Sequence, residues 1–494
     1  MTRIQNPMRI LLGAFTLALS ALGAACSNHD LNIKNPNSPT VAGALGDPTA
    51  LQLLATGLVV DQRAGRAGFI TNASVLGRES YTFTPTEGRN VTHPLIGIVV
   101  GGIQKLDPTG FSTGPWGTPY GTLRDIYNFK TAVNAAANLG APAKAAALGF
   151  AETIEAYTLF EVEQTHDSLG GITEVKADPK ELAPFVTRDS MFKYILNTLD
   201  DATTKLASGG AAFPFTLAGG FSGFNTPATF AKFTQAIKAK VEAHYATAGG
   251  GLTAWNAALT ALGNSFLNAA ATTRAAFDVG VYDNYGPTPD LQNPLSQAVN
   301  TNLYAHMSFQ SDVQLKADGV TPDDRYTAKI RTGLDSRQGP VTSAGPTTGA
   351  STLGFSIWPT NASTIPIIRN EELILLRAEA RLATGDKAGA IADLNQVRQN
   401  SGGLPASTLT TASTDDQVLL GILYEKRYSL MMEGDRWIDH RRYNKLSLLP
   451  LDVTTGANKN FVAKVNPIPQ GECLVRVGLT GTMLGPNGLN NCAP

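Results

Sequence analysis

Apolar residues recur at helical spacing through most of the chain beyond residue 47. Phe192, Ile195 and Leu199 fall on one face of a helix, because residues three and four positions apart share a side of its 3.6-residue turn. Stripes of the same kind begin at Leu51, Leu123, Phe150, Phe230 and Trp255. Short glycine-containing breaks separate them, which predicts antiparallel hairpins like tetratricopeptide repeats, although the period is too degenerate to assign from spacing alone.

The C-terminal third carries the sharpest helix signals. Apolar periodicity predicts helices over residues 371–383 and 387–400. Thr414 and Gln417 have the spacing of a capping box, so a last long helix is predicted to begin there. Gly434 is predicted to end it, since glycine readily adopts the left-handed conformation that terminates helices.

Two segments interrupt the helical pattern. Residues 63–115 are rich in Gly, Thr and Pro, and residues 276–366 hold turn dipeptides and short alternating pieces. A shorter loop is predicted from about Ser208. The pattern therefore predicts a mostly α scaffold with a large irregular excursion.

The first 25 residues have the layout of a signal peptide. Arg3 and Arg9 precede an apolar stretch that ends in small residues directly before Cys26. This predicts a lipoprotein signal peptide over 1–25, a lipid on Cys26 and an extended tether over 26–46. The alternative is ordinary cleavage that leaves a free thiol, because Leu22 stands one place further from the cysteine than a typical lipobox requires.

The remaining cysteines, Cys473 and Cys492, stand close together near the C-terminus. In an oxidising compartment such a pair is typical of a disulfide, which we predict here. One cysteine would then carry lipid and two would pair with each other.

Composition narrows the classes of partner. The formal net charge of the 494 residues is −1, which gives no electrostatic basis for binding nucleic acid. No catalytic motif is present, and the six histidines do not stand at metal-ligand spacing. We therefore predict a protein that is not an enzyme and has no cofactor, although a glycosidase that needs two carboxylates stays open. Asp278, Asp283 and Asn284 could bind calcium, but their spacing favours a solvated turn.

Two C-terminal motifs carry a resemblance to a known family. The first runs from Ile367 to Ala380 and reads IIRNEELILLRAEA; the second runs from Glu425 to Arg441 and reads EKRYSLMMEGDRWIDHR. Both resemble the C-terminal half of the SusD/RagB family of outer-membrane nutrient-uptake lipoproteins. Lys426 departs from the family's usual arginine there.

The resemblance implies a fold, a location and a partner. The fold would be mostly α, with about four tetratricopeptide-like hairpins and an irregular ligand-facing lobe. It would form one SusD-like domain over 47–494, with parts at 47–275, 276–366 and 367–494. The protein would be lipid-anchored in the outer membrane, facing outward, and would pass an oligomeric nutrient to a SusC-like TonB-dependent barrel. A periplasm-facing helical scaffold for other envelope proteins is the alternative.

Ligand contacts in the family come from the irregular segments, which implies candidate residues here. By residue type they are Arg78, Tyr81, Asn90, Trp116, Tyr282, Tyr285, Asn302 and Tyr304. Only 7% of the residues are aromatic, so no extended glycan platform is evident and a peptide stays open as the ligand.

The second motif also concentrates charge around a tryptophan. Its members are Glu425, Arg427, Glu433, Arg436, Trp437 and Asp439. Buried charges are costly unless they are paired, so we predict a closed structural network that holds the last helices together rather than a catalytic site.

Overall fold

The computed structural model describes residues 48–111, 113–287 and 290–477, and it is mostly helical. The predicted signal peptide, Cys26, the tether and Cys492 lie outside these ranges. The helices before the irregular lobe are α1 Pro48–Leu76, α2 Arg89–Leu95, α3 Gly117–Ala135, α4 Ala141–His166, α5 Arg188–Ala207, α6 Pro227–Tyr245 and α7 Gly251–Asn264. Those that follow are α8 Arg274–Phe277, α9 Ser308–Ser311, α10 Asp324–Lys329, α11 Asn370–Ala383, α12 Lys387–Asn400, α13 Asp415–Ser429, α14 Asp435–Arg442 and α15 Gln470–Val477.

The strands are short and pair in antiparallel twos. They are β1 Ser80–Thr82, β2 Ile98–Val100, β3 Ile103–Lys105, β4 Gly280–Asp283, β5 Leu303–Ala305, β6 Ile330–Arg331, β7 Val341–Thr342, β8 Gly345–Pro346, β9 Gly354–Phe355 and β10 Ile365–Arg369. The pairs are β1 with β5, β2 with β3, β4 with β10, β6 with β9 and β7 with β8. These ladders give the irregular lobe its order.

Helices α3 to α7 pack as successive antiparallel neighbours, and α11 continues the stack against α6 and α7. The apolar stripes read from the sequence face this interior: Phe192, Ile195 and Leu199 are buried. The capping box is present, with the Thr414 hydroxyl accepting from the Gln417 amide and the Gln417 side chain accepting from the Thr414 amide. The predicted mostly α fold is thus confirmed.

Helix α1 continues to Leu76, so the prediction that irregular structure begins at residue 63 is wrong. The helix presents Arg63 and Arg66 to the interior, where both are buried. Arg66 Nη1 lies 3.1 Å from Glu161 Oε1 of α4. Buried charges interrupt the apolar stripe, and their partners are distant in sequence, which is why periodicity misses this half of the helix.

The last long helix ends at Ser429 rather than at Gly434. A turn follows, and Gly434 has φ +96° immediately before α14. A Cβ there would lie 2.6 Å from Phe69 Cε1 of α1, so both conformation and close packing require glycine. Gly434 does mark a helix boundary, but it precedes the start of α14 and does not end the helix before it.

Two strand ladders connect the irregular lobe to other parts of the molecule. The β1–β5 ladder joins the first irregular segment to the second, with Tyr81 opposite Tyr304. The β4–β10 ladder runs directly into α11. Two large apolar clusters follow this division, one among α3 to α7 and one beneath the lobe around Trp358 and Trp437. Within the described ranges no helix has the length and apolar character needed to cross a bilayer.

Candidate functional site

Two adjoining cavities open beside β4 and share Asp278, Tyr282 and Thr364 in their walls. Their volumes are about 710 Å³ and 510 Å³. We call the combined space the Tyr282 cleft. Its size is within the range of small-molecule sites, and it lies where the irregular lobe meets the helical stack.

The alternation of β4 presents Tyr282 to the cleft. Val281 and Asp283 point inward and are buried, whereas Tyr282 is partly exposed, because successive side chains of a strand face opposite sides. The Tyr282 hydroxyl donates to the Asp278 carbonyl at 2.5 Å, which fixes the ring. Behind the strand, a Cβ at Gly220 would overlap the Tyr282 carbonyl oxygen, so only glycine permits this close approach.

Paired charges form the wall between the cleft and the core. Arg369 bonds to Glu371 and lies 2.8 Å from Glu433, and Arg274 lies 2.7 Å from Glu371. Although burial opposes it, Arg369 and Arg274 hold the pKa of Glu371 well below its usual value. The wall is therefore a fixed set of ions that orients polar groups rather than a source of reactive ones.

Lys329 is a buried cation of the cleft wall. Burial lowers the pKa of its ammonium to about 8, and Nζ donates to the carbonyls of Tyr428 and Ser429. Asn400, Ser401 and Thr364 add neutral hydrogen-bonding groups to the lining. A partly exposed aromatic ring beside such groups suits a ligand with an apolar face and polar edges.

Tyr282 is the sequence candidate that lines this cleft. Trp116 lines a separate cavity of about 400 Å³ near the start of α3, and it packs against Tyr120 and His166 with ring centroids 4.8 Å apart in each case. Asn90 is partly exposed on α2 and donates to the Thr84 hydroxyl. Tyr282, Trp116 and Asn90 therefore lie at different places in the structure and do not form one site.

Four other candidates are buried scaffold residues in this conformation. Arg78 has φ +58° and donates to carbonyls of Val75, Leu76, Pro450 and Phe461. Tyr81 donates to Asp452, and Tyr304 stands opposite it in the β1–β5 ladder. Tyr285 donates to the Arg63 carbonyl at 3.3 Å. A solvent-borne ligand does not reach these side chains without rearrangement.

Asn302 lies beside the same ladder. Its side-chain oxygen accepts from Arg337 at 2.9 Å, and its carbonyl accepts from the Phe83 amide. The β1–β5 ladder therefore brings Tyr81, Asn302 and Tyr304 together, but as a joint between the two irregular segments.

The six charged and aromatic residues of the second motif do not pair with one another among the described contacts. Glu425 pairs with Arg325 at 2.7 Å and Arg398 at 2.9 Å. The partners of the others also come from elsewhere: Arg427 with Asp312, Glu433 with Arg369, Asp439 with Lys426 and Arg442, Arg436 with the Arg78 carbonyl, and Trp437 with the Ala463 carbonyl. The single closed network expected from the sequence is therefore several smaller ones.

The side chains of Ser308, His306 and Asp452 contact one another in a row, which the sequence spacing did not predict. His306 Nδ1 lies 2.8 Å from Ser308 Oγ, and Nε2 lies 3.3 Å from Asp452 Oδ1. The Ser308 amide also donates to Nδ1, and Arg427 donates to Ser308 Oγ. The Ser308 hydroxyl lies between a histidine and a cation, and both Ser308 and His306 are buried. We therefore assign these three side chains a structural role, which is to anchor β5.

The calcium turn considered from the sequence is split by the structure. Asp278 pairs with Arg274 at 2.5 Å, whereas Asp283 is buried, where burial raises the pKa of its carboxyl to about 7. Among the described residues no group of three or more acidic, histidine or cysteine side chains is placed to hold a metal ion.

Arg274, Arg369 and Lys329 are site residues that sequence reasoning missed. They stand in separate segments, and no spacing connects them. The usable signal was Arg369 itself, which belongs to the first C-terminal motif and ends β10, the strand that pairs with β4.

Comparisons with known proteins agree with this architecture. A family model described as the SusD family matches residues 350–472. A SusD-like protein of Bacteroides fragilis is 15% identical with a TM-score of 0.62, covering 87% of this chain and 96% of that one. A SusD superfamily protein of Bacteroides vulgatus is 13% identical with a TM-score of 0.62, covering 87% and 97%.

B. fragilis NanU is 16% identical with a TM-score of 0.57, covering 84% of this chain and 94% of that one. At such identities the likeness establishes a shared fold. No curated protein matches the chain in sequence.

Proposed function

We propose that this chain, which belongs to the SusD family, captures an oligomeric nutrient and hands it to a TonB-dependent outer-membrane transporter. The protein would be anchored by a lipid on Cys26 and would face the cell exterior, with a SusC-like barrel as its partner. Its role would be binding without a covalent step.

The Tyr282 cleft is the observation that supports capture. It combines a partly exposed aromatic ring, two cavities that meet at that ring and a wall of paired ions. Sugar rings present apolar C–H faces edged by hydroxyls, and this combination of surfaces complements them. A glycan is therefore the proposed ligand class.

The test of capture is calorimetric titration of the chain with defined oligosaccharides, with peptides of similar length as the comparison. We expect an oligosaccharide to bind and Tyr282→Ala to weaken it by about tenfold or more, about 1.4 kcal/mol. Tyr127→Ala is the matched control, since Tyr127 is also partly exposed but lies on α3. Peptide binding alone, or equal affinity of both variants, would contradict the proposal.

The handover partner is tested by purification from detergent-solubilised outer membranes. We expect a large TonB-dependent barrel to accompany the wild-type chain. Cys26→Ala should abolish lipid labelling and release the protein from the membrane. Full protection of the chain from protease added to intact cells would instead support the periplasm-facing scaffold.

A further inference from the structure

A further cavity, distinct from the Tyr282 cleft and from the cavity at Trp116, lies where α4, α5, α6 and α14 meet. Its volume is about 590 Å³. We call it the Glu163 cavity. The titratable residues of its wall are Glu163, Asp167, Arg188, His244, Arg441, Arg442 and Lys464. Phe192, Leu446 and Val465 add an apolar side.

Cations exceed anions along this wall. Arg188 and Arg441 share one carboxylate, Asp167, at 2.8 Å and 3.9 Å. Arg442 is neutralised from outside the cavity by Glu379 and Asp439. Lys464 stands exposed at the rim. The wall therefore has positive charge that its own residues do not balance, which favours an anion.

Glu163 is the unusual member of this wall. It is 3% exposed, and no ion pair or side-chain hydrogen bond engages its carboxyl among the described residues. Burial, followed by the charge of Asp167, raises the pKa of this carboxyl to about 8. A neutral carboxyl is both a donor and an acceptor, so in the cavity wall it can hydrogen-bond to a ligand in either sense.

His244 adds a second neutral polar group. It is 3% exposed and packs edge-on against Phe160 with ring centroids 4.9 Å apart. Burial, with Arg442 and Lys240 nearby, lowers the pKa of its ring well below the usual value. Both Glu163 and His244 can therefore hydrogen-bond to a ligand without adding charge.

We propose that the Glu163 cavity binds a small organic carboxylate. Arg188 and Arg441 would hold the carboxylate, the Glu163 carboxyl would hydrogen-bond to it, and the apolar side would cover the organic body. The volume is too large for an inorganic anion alone, and the apolar residues favour a ligand with carbon substituents. This proposal does not depend on the capture function of the Tyr282 cleft.

The test is calorimetric titration of the protein with three carboxylates: glucuronate, citrate and phenylacetate. Glucose and inorganic phosphate are the comparisons, one lacking the charge and the other the organic body. We expect at least one carboxylate to bind at pH 7 and the comparisons not to bind measurably. Failure of all three carboxylates, or phosphate binding as tight as theirs, would overturn the proposal.

Two variants locate the binding. Arg441→Gln should weaken the carboxylate by about tenfold or more. Because Arg441 also packs over the Trp437 ring at 4.9 Å, its folding is checked by thermal unfolding. Lys193→Gln is the control, an exposed lysine of α5. Tyr282→Ala should leave carboxylate affinity unchanged, so the two sites are separable; a change there would count against a separate site.

Glu163→Gln gives a readout that a structural role would not reproduce. Glu163 is faced by Asp167, which directly follows its own helix, by Arg188, His244, Arg441 and Arg442 from the neighbouring helices, and by Lys464 at the rim. Wild-type affinity should fall as pH rises from 7 to 9, because ionised Glu163 repels the ligand. The Gln variant should bind at pH 7 and lose this dependence; an identical pH profile in both proteins would overturn the role of Glu163.

Discussion

Neighbouring helices of the scaffold contact each other through apolar side chains at one place and through charged side chains at another. Between α4 and α6 lies an apolar joint made of Phe150, Phe213, Phe215, Phe221, Phe230 and Phe233, all buried. Between α11, α13 and α14 lies an ionic joint made of Glu379, Lys426, Asp439 and Arg442, also buried.

The contacts of the ionic joint are mutual. Lys426 Nζ lies 2.7 Å from Glu379 and 2.6 Å from Asp439, and Arg442 lies 2.7 Å from each of the same carboxylates. In the apolar joint the ring of Phe230 meets Phe150 at 5.6 Å and Phe233 at 5.3 Å between centroids.

The two joints should respond differently to change. Apolar burial is non-directional and tolerates a substitution of similar volume. A buried ion pair balances a large desolvation cost against attraction, so it is stable only while every partner is present. The ionic joint therefore fixes the geometry of the last helices more strictly than it stabilises them.

The largest expected effect is that of Lys426→Met, a nearly isosteric change in the ionic joint. Removing the ammonium leaves the buried carboxylates of Glu379 and Asp439 to share the guanidinium of Arg442, and we expect the free energy of unfolding to fall by about 3–5 kcal/mol. Guanidinium denaturation measures it. A loss below about 1 kcal/mol would show that water reaches the joint and replaces the ammonium.

Acid should weaken the ionic joint and leave the apolar one unchanged. Although burial opposes it, Lys426 and Arg442 lower the pKa of both Glu379 and Asp439. Their contribution is full above the unfolded-state pKa, about 4, and is lost as pH falls below it. The cost of Lys426→Met should thus shrink below about pH 4, by at most about 1.4 kcal/mol per pH unit for each carboxyl.

Denaturation series at successive pH values measure this dependence. A cost of Lys426→Met that is independent of pH would mean that the two carboxylates are not held ionised by these cations.

The matched change in the apolar joint is Phe230→Leu. Leucine keeps most of the volume, and neighbouring rings can close on the remainder, so we expect a loss below about 1.5 kcal/mol. Phe230→Ala should cost about 3–5 kcal/mol by leaving a cavity. Equal losses for leucine and alanine would indicate that the rings are fixed as rigidly as the ions.

The smallest expected effect concerns a surface pair near the ionic joint. Lys445 Nζ lies 2.5 Å from Asp416, with the two side chains 23% and 56% exposed. Lys445→Gln should change the free energy of unfolding by less than about 1 kcal/mol, because water and salt screen the pair. A larger loss in the same denaturation assay would mean that charge matters at this position regardless of burial.

The helical scaffold could be predicted from the sequence because its apolar residues repeat at intervals of three and four positions. The cap at Thr414 needs only residues three positions apart, and it formed as predicted. The second half of α1 was missed because Arg63 and Arg66 interrupt the stripe and find partners in other segments. Local pattern therefore identifies helices whose buried face is apolar and underestimates those that bury charge.

The candidate site was predicted less well, for a related reason. Residue type selected Tyr81, Tyr282 and Tyr304 equally, whereas exposure depends on which strand each joins. Tyr81 and Tyr304 are covered by pairing across more than two hundred residues of chain, and Tyr282 stays partly exposed on β4. Sequence analysis did not select Glu163, because a glutamate on a helix is usually exposed.

Arg78 connects the turn after α1 to the C-terminal segment. Its guanidinium donates to carbonyls of Pro450 and Phe461, 372 and 383 residues further along. Until the C-terminal segment has arrived, the guanidinium has only the local carbonyls of Val75 and Leu76 as acceptors. Contacts of such sequence separation form slowly, so we expect the turn after α1 to reach its final structure late in folding.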